Sequence, residues 1–214
     1  MKSLKILYRD ENVCVCIKPY DVNSETSSGE NMPDLLKTEL GCEAFPVHRL
    51  DKTTGGIMVY ALNSRSAALL SAQIADGRFK KEYRAVIHGV LQKSEGELTD
   101  LLFYDRNKSK SYVVKRERKG VKAASLYYSV TDTAELNGKI YSLVSVRLKT
   151  GRTHQIRVQF ASRNHPVAGD RRYGSDIKLQ NMALWSFKLE FYHPVTKEKV
   201  VFKADPEGSL FNDF

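Results

Sequence analysis

A carboxylate flanked by basic residues stands on a short segment that ends in glycines. The sequence from 45 to 63 reads FPVHRLDKTTGGIMVYALN, and its carboxylate is Asp51. The apolar run GIMVYAL that closes it is typical of a buried strand. A carboxylate held beside cations stays ionised, and an ionised carboxylate can act as a nucleophile or a base. A salt-bridged turn would need the same residue types, so this motif alone leaves both interpretations open.

Two further segments combine basic residues with groups that can do chemistry. In KTGRTHQIRVQFA (149–161), the spacing predicts a helix start across Arg152–Arg157, with Ile156 and Phe160 toward the core and Arg157 on a different face. In KKEYRAVIHG (80–89), Tyr83 begins a predicted strand beside several cations. A helix cap with an ion pair and a core tyrosine are the structural alternatives.

The positive charge of the chain is concentrated in one segment. Lys and Arg number 34 against 25 Asp and Glu, a formal net charge of +9. The segment 106–122, RNKSKSYVVKRERKGVK, carries eight basic residues and one acidic residue; we call it the basic arm. Cations beside phosphates release counterions, which predicts contact with a nucleic-acid backbone, although a solvated hairpin without a partner is the alternative. The strongest candidates are Lys115, Arg116, Arg118 and Lys119.

The composition argues against several other classes of site. The three cysteines are odd in number and form no paired CxxC, and the five histidines lack metal-ligand spacing. There is no phosphate-binding glycine loop, no apolar stretch of membrane-spanning length and no signal-peptide core at the N-terminus. We therefore expect reduced thiols, no metal, no membrane association, and a monomer in the cytoplasm.

The periodicity of the chain predicts mixed strands and helices. Helices are predicted from Pro33 to Gly41, from a cap at Ser64 to Gly77, and from the GRTH turn to Pro166. Strands are predicted at 4–8, 12–17, 56–62, 82–88, 123–131, 140–149, 182–192 and 199–204. Because strands and helices do not alternate strictly, we expect an α+β fold on a largely antiparallel sheet, in a single domain over residues 1–214.

Five segments together resemble the RluA-type pseudouridine synthases in sequence, order and spacing: VHRLDKTTGG, KKEYRAVIHG, TGRTHQIRVQFA, HPVAGDRRYG and ALWSFKLEFYHP. The resemblance runs from about Ile6 to Ala204. Three departures bear on RNA contacts. Gly55 stands where serine is common, Gln159 where histidine is frequent, and Leu184-Trp185-Ser186 where Leu-His-Ala is usual.

The resemblance implies the pseudouridine synthase catalytic-domain fold, with a central cleft, flanking helices and no added RNA-binding module. It implies isomerisation of uridine to pseudouridine in a stem-loop of ribosomal or transfer RNA, with no cofactor and no metal. Asp51 matches the essential aspartate, which attacks the ribose C1′ or the uracil C6 or acts as a base in a glycal route. Arg157 matches the arginine that keeps it ionised.

Other matching residues are expected to contact the substrate. Tyr83 would stack on the target base and help remove its C5 proton. Leu184 would pack on the base, and Arg49 would fill the gap left by the flipped nucleotide. Weaker matches to substrate-binding positions are His48, Thr53, Arg152 and His154.

Two rival functions are compatible with the same residues. A non-catalytic RNA-binding or ribosome-assembly protein would use the basic arm but not Asp51. A metal-independent ribonuclease would use histidine, lysine and tyrosine and would shorten its substrate. Incubation with bulk RNA separates the three functions, which give pseudouridine without cleavage, neither change, or cleavage.

Overall fold

The computed structural model of the protein describes residues 4–214. The chain divides into two units. The first takes the described chain up to Lys81 together with Trp185–Pro206, and the second takes Glu82–Leu184 with Glu207–Phe214. The elements, in chain order, are β1 (Ile6–Arg9), β2 (Val13–Lys18), α1 (Met32–Leu40), β3 (Phe45–Pro46), β4 (Gly55–Ala61), α2 (Ser64–Ala75), β5 (Lys80–His88), β6 (Glu95–Asp105), β7 (Lys110–Val114), β8 (Val121–Leu136), β9 (Lys139–Leu148), α3 (Gln155–Ala161), β10 (Leu184–Tyr192) and β11 (Lys199–Lys203), with short 3-10 helices at Arg171–Tyr173 and Ser209–Asp213.

The sheet of the first unit is built around β2 and β4. The two strands pair antiparallel from Val13 opposite Ala61 to Lys18 opposite Gly56, and every residue of both strands is buried. The hairpin partner β1 flanks β2, and β10 pairs parallel with the start of β4 and antiparallel with β11. The predicted N-terminal hairpin, central strand and C-terminal hairpin are confirmed.

Helix α1 begins and ends where its sequence predicts. The Asn31 side chain caps it by accepting a hydrogen bond from the Asp34 N–H (3.0 Å), and Gly41 ends it in the left-handed conformation (φ 72°). Between residues 4 and 214, no helix is both long enough and apolar enough to cross a membrane.

The cap and the buried face of α2 differ from the prediction. Asn63, one residue before the predicted Ser64, accepts from the Ser66 N–H (2.9 Å). Helical spacing predicts that Ala67, Leu70 and Ile74 share the inward face. Leu70 is buried as expected, but the other buried residues are Ser66 and Gln73, whereas Ala67 and Ile74 are half-buried. Gln73 is drawn inward because its amide pairs with both backbone groups of Tyr192, donating at 2.7 Å and accepting at 2.8 Å. Hydrogen bonding to the strand backbone therefore outweighs side-chain hydrophobicity at this position.

The second unit is an antiparallel sheet in the order β5-β9-β8-β6-β7. One apolar cluster packs Val86, Tyr141 and Leu210 together. Another packs α3 against the sheet through Val158, Leu102 and Ala124. The largely antiparallel α+β fold is confirmed, but β6 and β7 were not predicted. The basic arm is consequently not one hairpin: it covers the β6–β7 turn, the whole of β7, the following loop and the first residues of β8.

Helix α3 is shorter and more buried than its pattern predicts. It ends at Ala161, well before Pro166, and the N–H groups that follow bond back to the last helical carbonyls. Ile156 and Phe160 face inward as predicted. Arg157, expected on a different face, is buried as well, with 5% of its surface exposed. A buried guanidinium requires a partner, which the helix pattern could not reveal.

Two adjacent glycines at the start of β4 allow close contact with β10. A Cβ on Gly55 would lie 2.6 Å from Cζ3 of Trp185, and a Cβ on Gly56, whose φ is +118°, would lie 2.5 Å from the backbone nitrogen of Ser186. Trp185 donates its indole N–H to the Ala204 carbonyl (3.0 Å) and lies beside the ring of Tyr20. The departures at Gly55 and Trp185 therefore depend on each other, because the missing Cβ at Gly55 leaves the space that the Trp185 ring occupies.

This packing predicts a compensating pair of substitutions. Gly55→Ser should destabilise the protein by about 1–3 kcal/mol through overpacking, and Trp185→His should cost about 2–4 kcal/mol through the cavity it leaves. The double variant should be more stable than their sum by about 1 kcal/mol or more, measured by urea unfolding.

Gly56→Ser is the matched control for this pair, because its clash involves the backbone of Ser186 and a positive φ. The stability lost through Gly56→Ser should be the same whether or not Trp185→His is also present. Strict additivity of Gly55→Ser and Trp185→His would contradict the shared volume.

Candidate active site

The segment that carries Asp51 alternates between inward and outward side chains. His48, Leu50 and Thr54 are buried, whereas Arg49 and Thr53 are exposed and Asp51 is half-buried. Such alternation is the signature of extended backbone, in which successive side chains point to opposite sides. Arg49 and Asp51 therefore lie on the outward side of this segment, and Thr53 is exposed in the turn that follows Asp51.

The inward side of this loop is fixed by hydrogen bonds. The Val59 N–H donates to Nε2 of His48 (3.2 Å). The Ser24 hydroxyl donates to the Leu50 carbonyl (2.9 Å) and accepts from the Leu50 N–H (3.2 Å). The Thr54 N–H donates to the Asp51 carbonyl (2.9 Å) and closes a tight turn. The backbone on both sides of Asp51 is thus held to the first unit.

A buried lysine completes this support and was not predicted as part of the site. Lys18, the last residue of β2, is fully buried, and its ammonium donates to the carbonyls of Pro19 (2.7 Å), Val22 (2.7 Å) and Lys52 (3.1 Å). The three acceptors match the three N–H donors of an ammonium group. Burial lowers the pKa of Lys18 to about 7, against the opposing effect of the Asp21 and Asp51 carboxylates. The bond to Lys52 makes Lys18 a positioning residue for the loop.

His48 and Arg49 occupy opposite sides of the loop. Burial, with a smaller effect of Lys81, lowers the pKa of His48 well below its usual value. The imidazole is therefore neutral, and it packs against Phe79 (ring centroids 5.3 Å apart). It supports the loop from within, and its predicted contact with substrate remains a prediction. Arg49 is largely exposed and pairs with Glu25 (3.0 Å), an ion pair that an incoming phosphate could replace.

Tyr83 and Leu184 are both buried residues of the second unit. Tyr83 lies in β5 opposite Val146, with 5% of its surface exposed. Leu184 is the first residue of β10, with 4% exposed, and its N–H donates to the Met182 carbonyl (2.8 Å). Their predicted contacts with the target base remain predictions.

Arg157 forms a buried, bidentate ion pair with Asp170. Its Nε donates to Oδ2 (2.6 Å) and its Nη2 to Oδ1 (2.9 Å), and the two side chains expose 6% and 2% of their surface. Asp170 was not predicted, although it stands in the HPVAGDRRYG motif. The expected ion pair between Arg157 and Asp51 remains a prediction.

The residues around α3 hold its N-terminal turn against the sheet of the second unit. Arg152 is exposed and donates to the Ala123 carbonyl (3.0 Å). His154 adopts the left-handed conformation (φ 55°) at the helix start. Gln155, which was not predicted, accepts from the Arg152 N–H (3.0 Å) and donates to the Ser125 carbonyl (3.1 Å). Gln159 is fully buried and donates to Asp100 (2.7 Å), so its difference from histidine affects packing and not direct RNA contact.

The basic arm exposes its charged side chains. Lys115, Arg116, Arg118 and Lys119 are all exposed. Arg118 is ordered by stacking over the ring of Phe103 (4.7 Å). Within residues 4–214, no group of three or more His, Cys, Asp or Glu side chains is arranged to hold a metal ion.

The comparisons with known proteins agree with these segments. The profile of the family described as RNA pseudouridylate synthase matches residues 12–162. The chain belongs to this family. It is accordingly an RNA pseudouridine synthase, an isomerase, and the prediction from its motifs is confirmed.

Several relatives are similar along nearly the whole chain. The chain is 28% identical to a tRNA pseudouridine synthase C from Vibrio vulnificus (strain CMCP6), covering 94% of this chain and 90% of that protein. It is 32% identical to the RNA pseudouridine synthase YhcT of Bacillus subtilis (strain 168), covering 98% and 71%. A ribosomal large subunit pseudouridine synthase C from Buchnera aphidicola (subsp. Acyrthosiphon pisum) is 30% identical, covering 94% and 66%.

A solved pseudouridine synthase structure has the same fold. The human RNA pseudouridylate synthase domain containing 1 aligns with a TM-score of 0.80 and 25% identity, over 96% of this chain and 84% of that one. The pseudouridine synthase fold predicted from the motifs is therefore confirmed.

The lowered pKa of Lys18 predicts a specific pH dependence of stability in this pseudouridine synthase. Between about pH 7 and the ordinary pKa of lysine, Lys18 is protonated in the unfolded chain but not in the folded protein. The free energy of unfolding should therefore rise with pH in that window. The contribution is at most ~1.4 kcal/mol per pH unit.

Lys18→Met removes this titration, so the stability difference between wild type and variant should grow as the pH rises, measured by urea unfolding. The exposed Lys119→Met provides the control and should follow the wild type. Parallel pH curves for wild type and Lys18→Met would show that Lys18 does not titrate in this range.

Proposed function

We propose that the protein isomerises uridine to pseudouridine in transfer or ribosomal RNA, with Asp51 as the nucleophile and without a cofactor. The observation that carries the proposal is the outward position of Asp51 on a loop whose inward side is held by hydrogen bonds. A nucleophile held in place loses little entropy on reaching the transition state. The substrate class is supported by relatives that are named for transfer RNA and for the large ribosomal subunit.

The chemistry requires no group from outside the chain. The N1–C1′ bond of uridine breaks, the uracil turns, and C5 forms a bond to C1′. The C5 proton leaves and N1 gains one, so the product is an isomer of the substrate. The Asp51 carboxylate can attack C1′ or C6, or serve as the base in a glycal route, and each route balances without redox or hydrolysis.

The neighbouring roles follow the same hypothesis. Arg157 would stabilise the Asp51 carboxylate, since a guanidinium carries five donors and Asp170 uses the Nε and Nη2 edge. Tyr83 would stack on the base and help move the C5 proton. Leu184 would pack on the base, and Arg49 would replace the flipped nucleotide.

The organisation of the enzyme is part of the proposal. We expect one catalytic domain over residues 1–214, acting as a cytoplasmic monomer on a stem-loop. Thr53, Arg152 and His154 are retained as candidate RNA contacts, and the basic arm as the phosphate-binding surface.

Asp51→Asn tests the nucleophile. The amide keeps the shape of the side chain but cannot attack, so pseudouridine should be undetectable by nucleoside mass spectrometry after incubation with RNA from a deletion strain. RNA affinity should change by less than about tenfold, roughly 1.4 kcal/mol.

Asp21→Asn is the matched control, because Asp21 is another carboxylate close to Lys18. This variant should retain activity. Product from pure Asp51→Asn enzyme would remove Asp51 from the nucleophile role.

Replacing Lys115, Arg116, Arg118 and Lys119 with alanine tests the basic arm. RNA binding should weaken, and its salt dependence should flatten. The slope of the logarithm of the binding constant against the logarithm of the salt concentration should become shallower by roughly 0.7 for each single-strand phosphate that the variant no longer neutralises. Binding is measured by fluorescence anisotropy over a range of salt concentrations.

A second fourfold alanine variant provides the same change in charge elsewhere, at the exposed residues Arg65, Lys93, Lys178 and Lys203. Its salt slope should match the wild type. Equal slopes for all three proteins would mean that the arm faces solvent when RNA is bound.

A further inference from the structure

Tyr173 contacts both the basic arm and Arg157. Its hydroxyl accepts a hydrogen bond from the Ser111 N–H in β7 (2.7 Å). Its ring lies against the Arg157 guanidinium, with 5.1 Å between Cζ and the ring centroid. One buried side chain, 9% exposed, therefore joins a strand of the arm to the arginine that we propose acts on the nucleophile.

The contact between Tyr173 and the arm is reinforced at several points. The Ser111 hydroxyl donates to the Thr153 carbonyl (2.6 Å), which binds β7 to the turn before α3. The Arg172 side chain donates to the Ser109 carbonyl at the tip of the arm. Lys110 lies 5.1 Å from the centroid of the Tyr173 ring. Residues 109–111 of the arm thus rest on the 3-10 turn that contains Tyr173.

The same turn holds the partner of Arg157. The Tyr173 N–H donates to the Asp170 carbonyl (3.1 Å), so the carboxylate that binds Arg157 and the ring that covers it belong to one 3-10 turn. A displacement of this turn would move both contacts of the guanidinium together. Close-packed interiors transmit such displacements because they have few alternative arrangements.

The Tyr173 hydroxyl has a second neighbour, Nδ1 of His154 (2.9 Å). Burial raises the pKa of Tyr173 to about 12, against the opposing effects of the Ser111 hydrogen bond and Arg157. The hydroxyl therefore keeps its proton at neutral pH, and it can accept from the Ser111 N–H while its own proton faces Nδ1 of His154.

We propose that Tyr173 is a positioning residue that couples RNA binding by the basic arm to the orientation of Arg157. The inference rests on the proposed function, because it assigns Arg157 to the nucleophile. RNA phosphates on the arm would hold β7 in place, and the Ser111–Tyr173 hydrogen bond would then fix the ring beneath the guanidinium. An enzyme built in this way reaches full activity only after the arm has bound RNA.

Tyr173→Phe separates coupling from binding, because it keeps the ring but removes the hydrogen bonds to Ser111 and His154. We expect the RNA affinity to stay within about twofold of wild type. The single-turnover rate at saturating RNA should be about tenfold lower, which corresponds to roughly 1.4 kcal/mol. A loss of this size is expected for one or two buried hydrogen bonds. The substrate is total RNA from a deletion strain.

Tyr127→Phe is the matched control. Tyr127 also makes a hydroxyl hydrogen bond, to Glu95 (2.6 Å), and also carries an arginine over its ring, with Arg147 at 4.9 Å. These contacts lead to residues other than Arg157, so the variant should react at the wild-type rate. A rate loss in Tyr173→Phe that follows the folded fraction in thermal melts, or weaker binding with an unchanged rate at saturation, would overturn the coupling.

A second measurement does not depend on catalysis. The Arg157 Nε–H is buried and hydrogen-bonded, so its ¹⁵N–¹H resonance should be observable and can be assigned by its loss in Arg157→Lys. Adding unfractionated transfer RNA should shift this resonance in the wild type and in Tyr127→Phe, and much less in Tyr173→Phe.

The two readouts distinguish failure of the coupling from failure of the proposed function. An equal shift in Tyr173→Phe, or no shift in the wild type when RNA is bound, would overturn the coupling whatever the activity. Absence of pseudouridine from reactions of the wild type with every RNA tested would overturn the proposed function, while the resonance would still decide whether arm and arginine are linked.

Discussion

The second unit is organised around a guanidinium that is taken out of water. Burying Arg157 and Asp170 costs each charge its hydration, and their bidentate hydrogen bonds offset that cost only because both groups are held in register. Arg157 is held by α3 and Asp170 by the turn after HPVAG, so the pair ties a helix to a loop that follows it in the chain. Removing either partner would leave an uncompensated buried charge, typically about 3–5 kcal/mol. Such a pair is suited to presenting an arginine in one orientation.

The first unit solves a similar problem by different means. The inward side of the loop around Asp51 is held by neutral hydrogen bonds to alternate residues, His48 and Leu50, and by the Lys18 amino group bound to carbonyl dipoles. Lys18 lies near the Asp51 carboxylate but donates to backbone carbonyls, so its contribution is to fix the backbone of the loop. The inward half of the loop provides rigidity, and the outward half carries the chemistry.

The sequence patterns predicted those helices and strands that are determined by residues close together in the chain. The buried runs of β2 and β4, the helix between Pro33 and Gly41, and the last hairpin follow from periodicity and capping. Strands β6 and β7 were missed because EGELTDLLFYD mixes charges with its apolar positions, and because β7 is short and follows a cluster of lysines. Asp170 and Lys18 could not be predicted as site residues, since their partners are defined by the folded chain. The inward position of His48 was available in principle, from the two-residue alternation of the loop.

Trp185 gives the protein an optical property that follows from its place beside Gly55. It is the single tryptophan of the chain, so all indole emission comes from the first unit. Its ring is buried next to Tyr20, which favours a blue-shifted spectrum and energy transfer from tyrosine, and its N–H is bound to the Ala204 carbonyl. Gly55 begins the strand that follows the Asp51 loop. Native fluorescence can therefore follow the surroundings of that loop during RNA binding or unfolding without any attached dye.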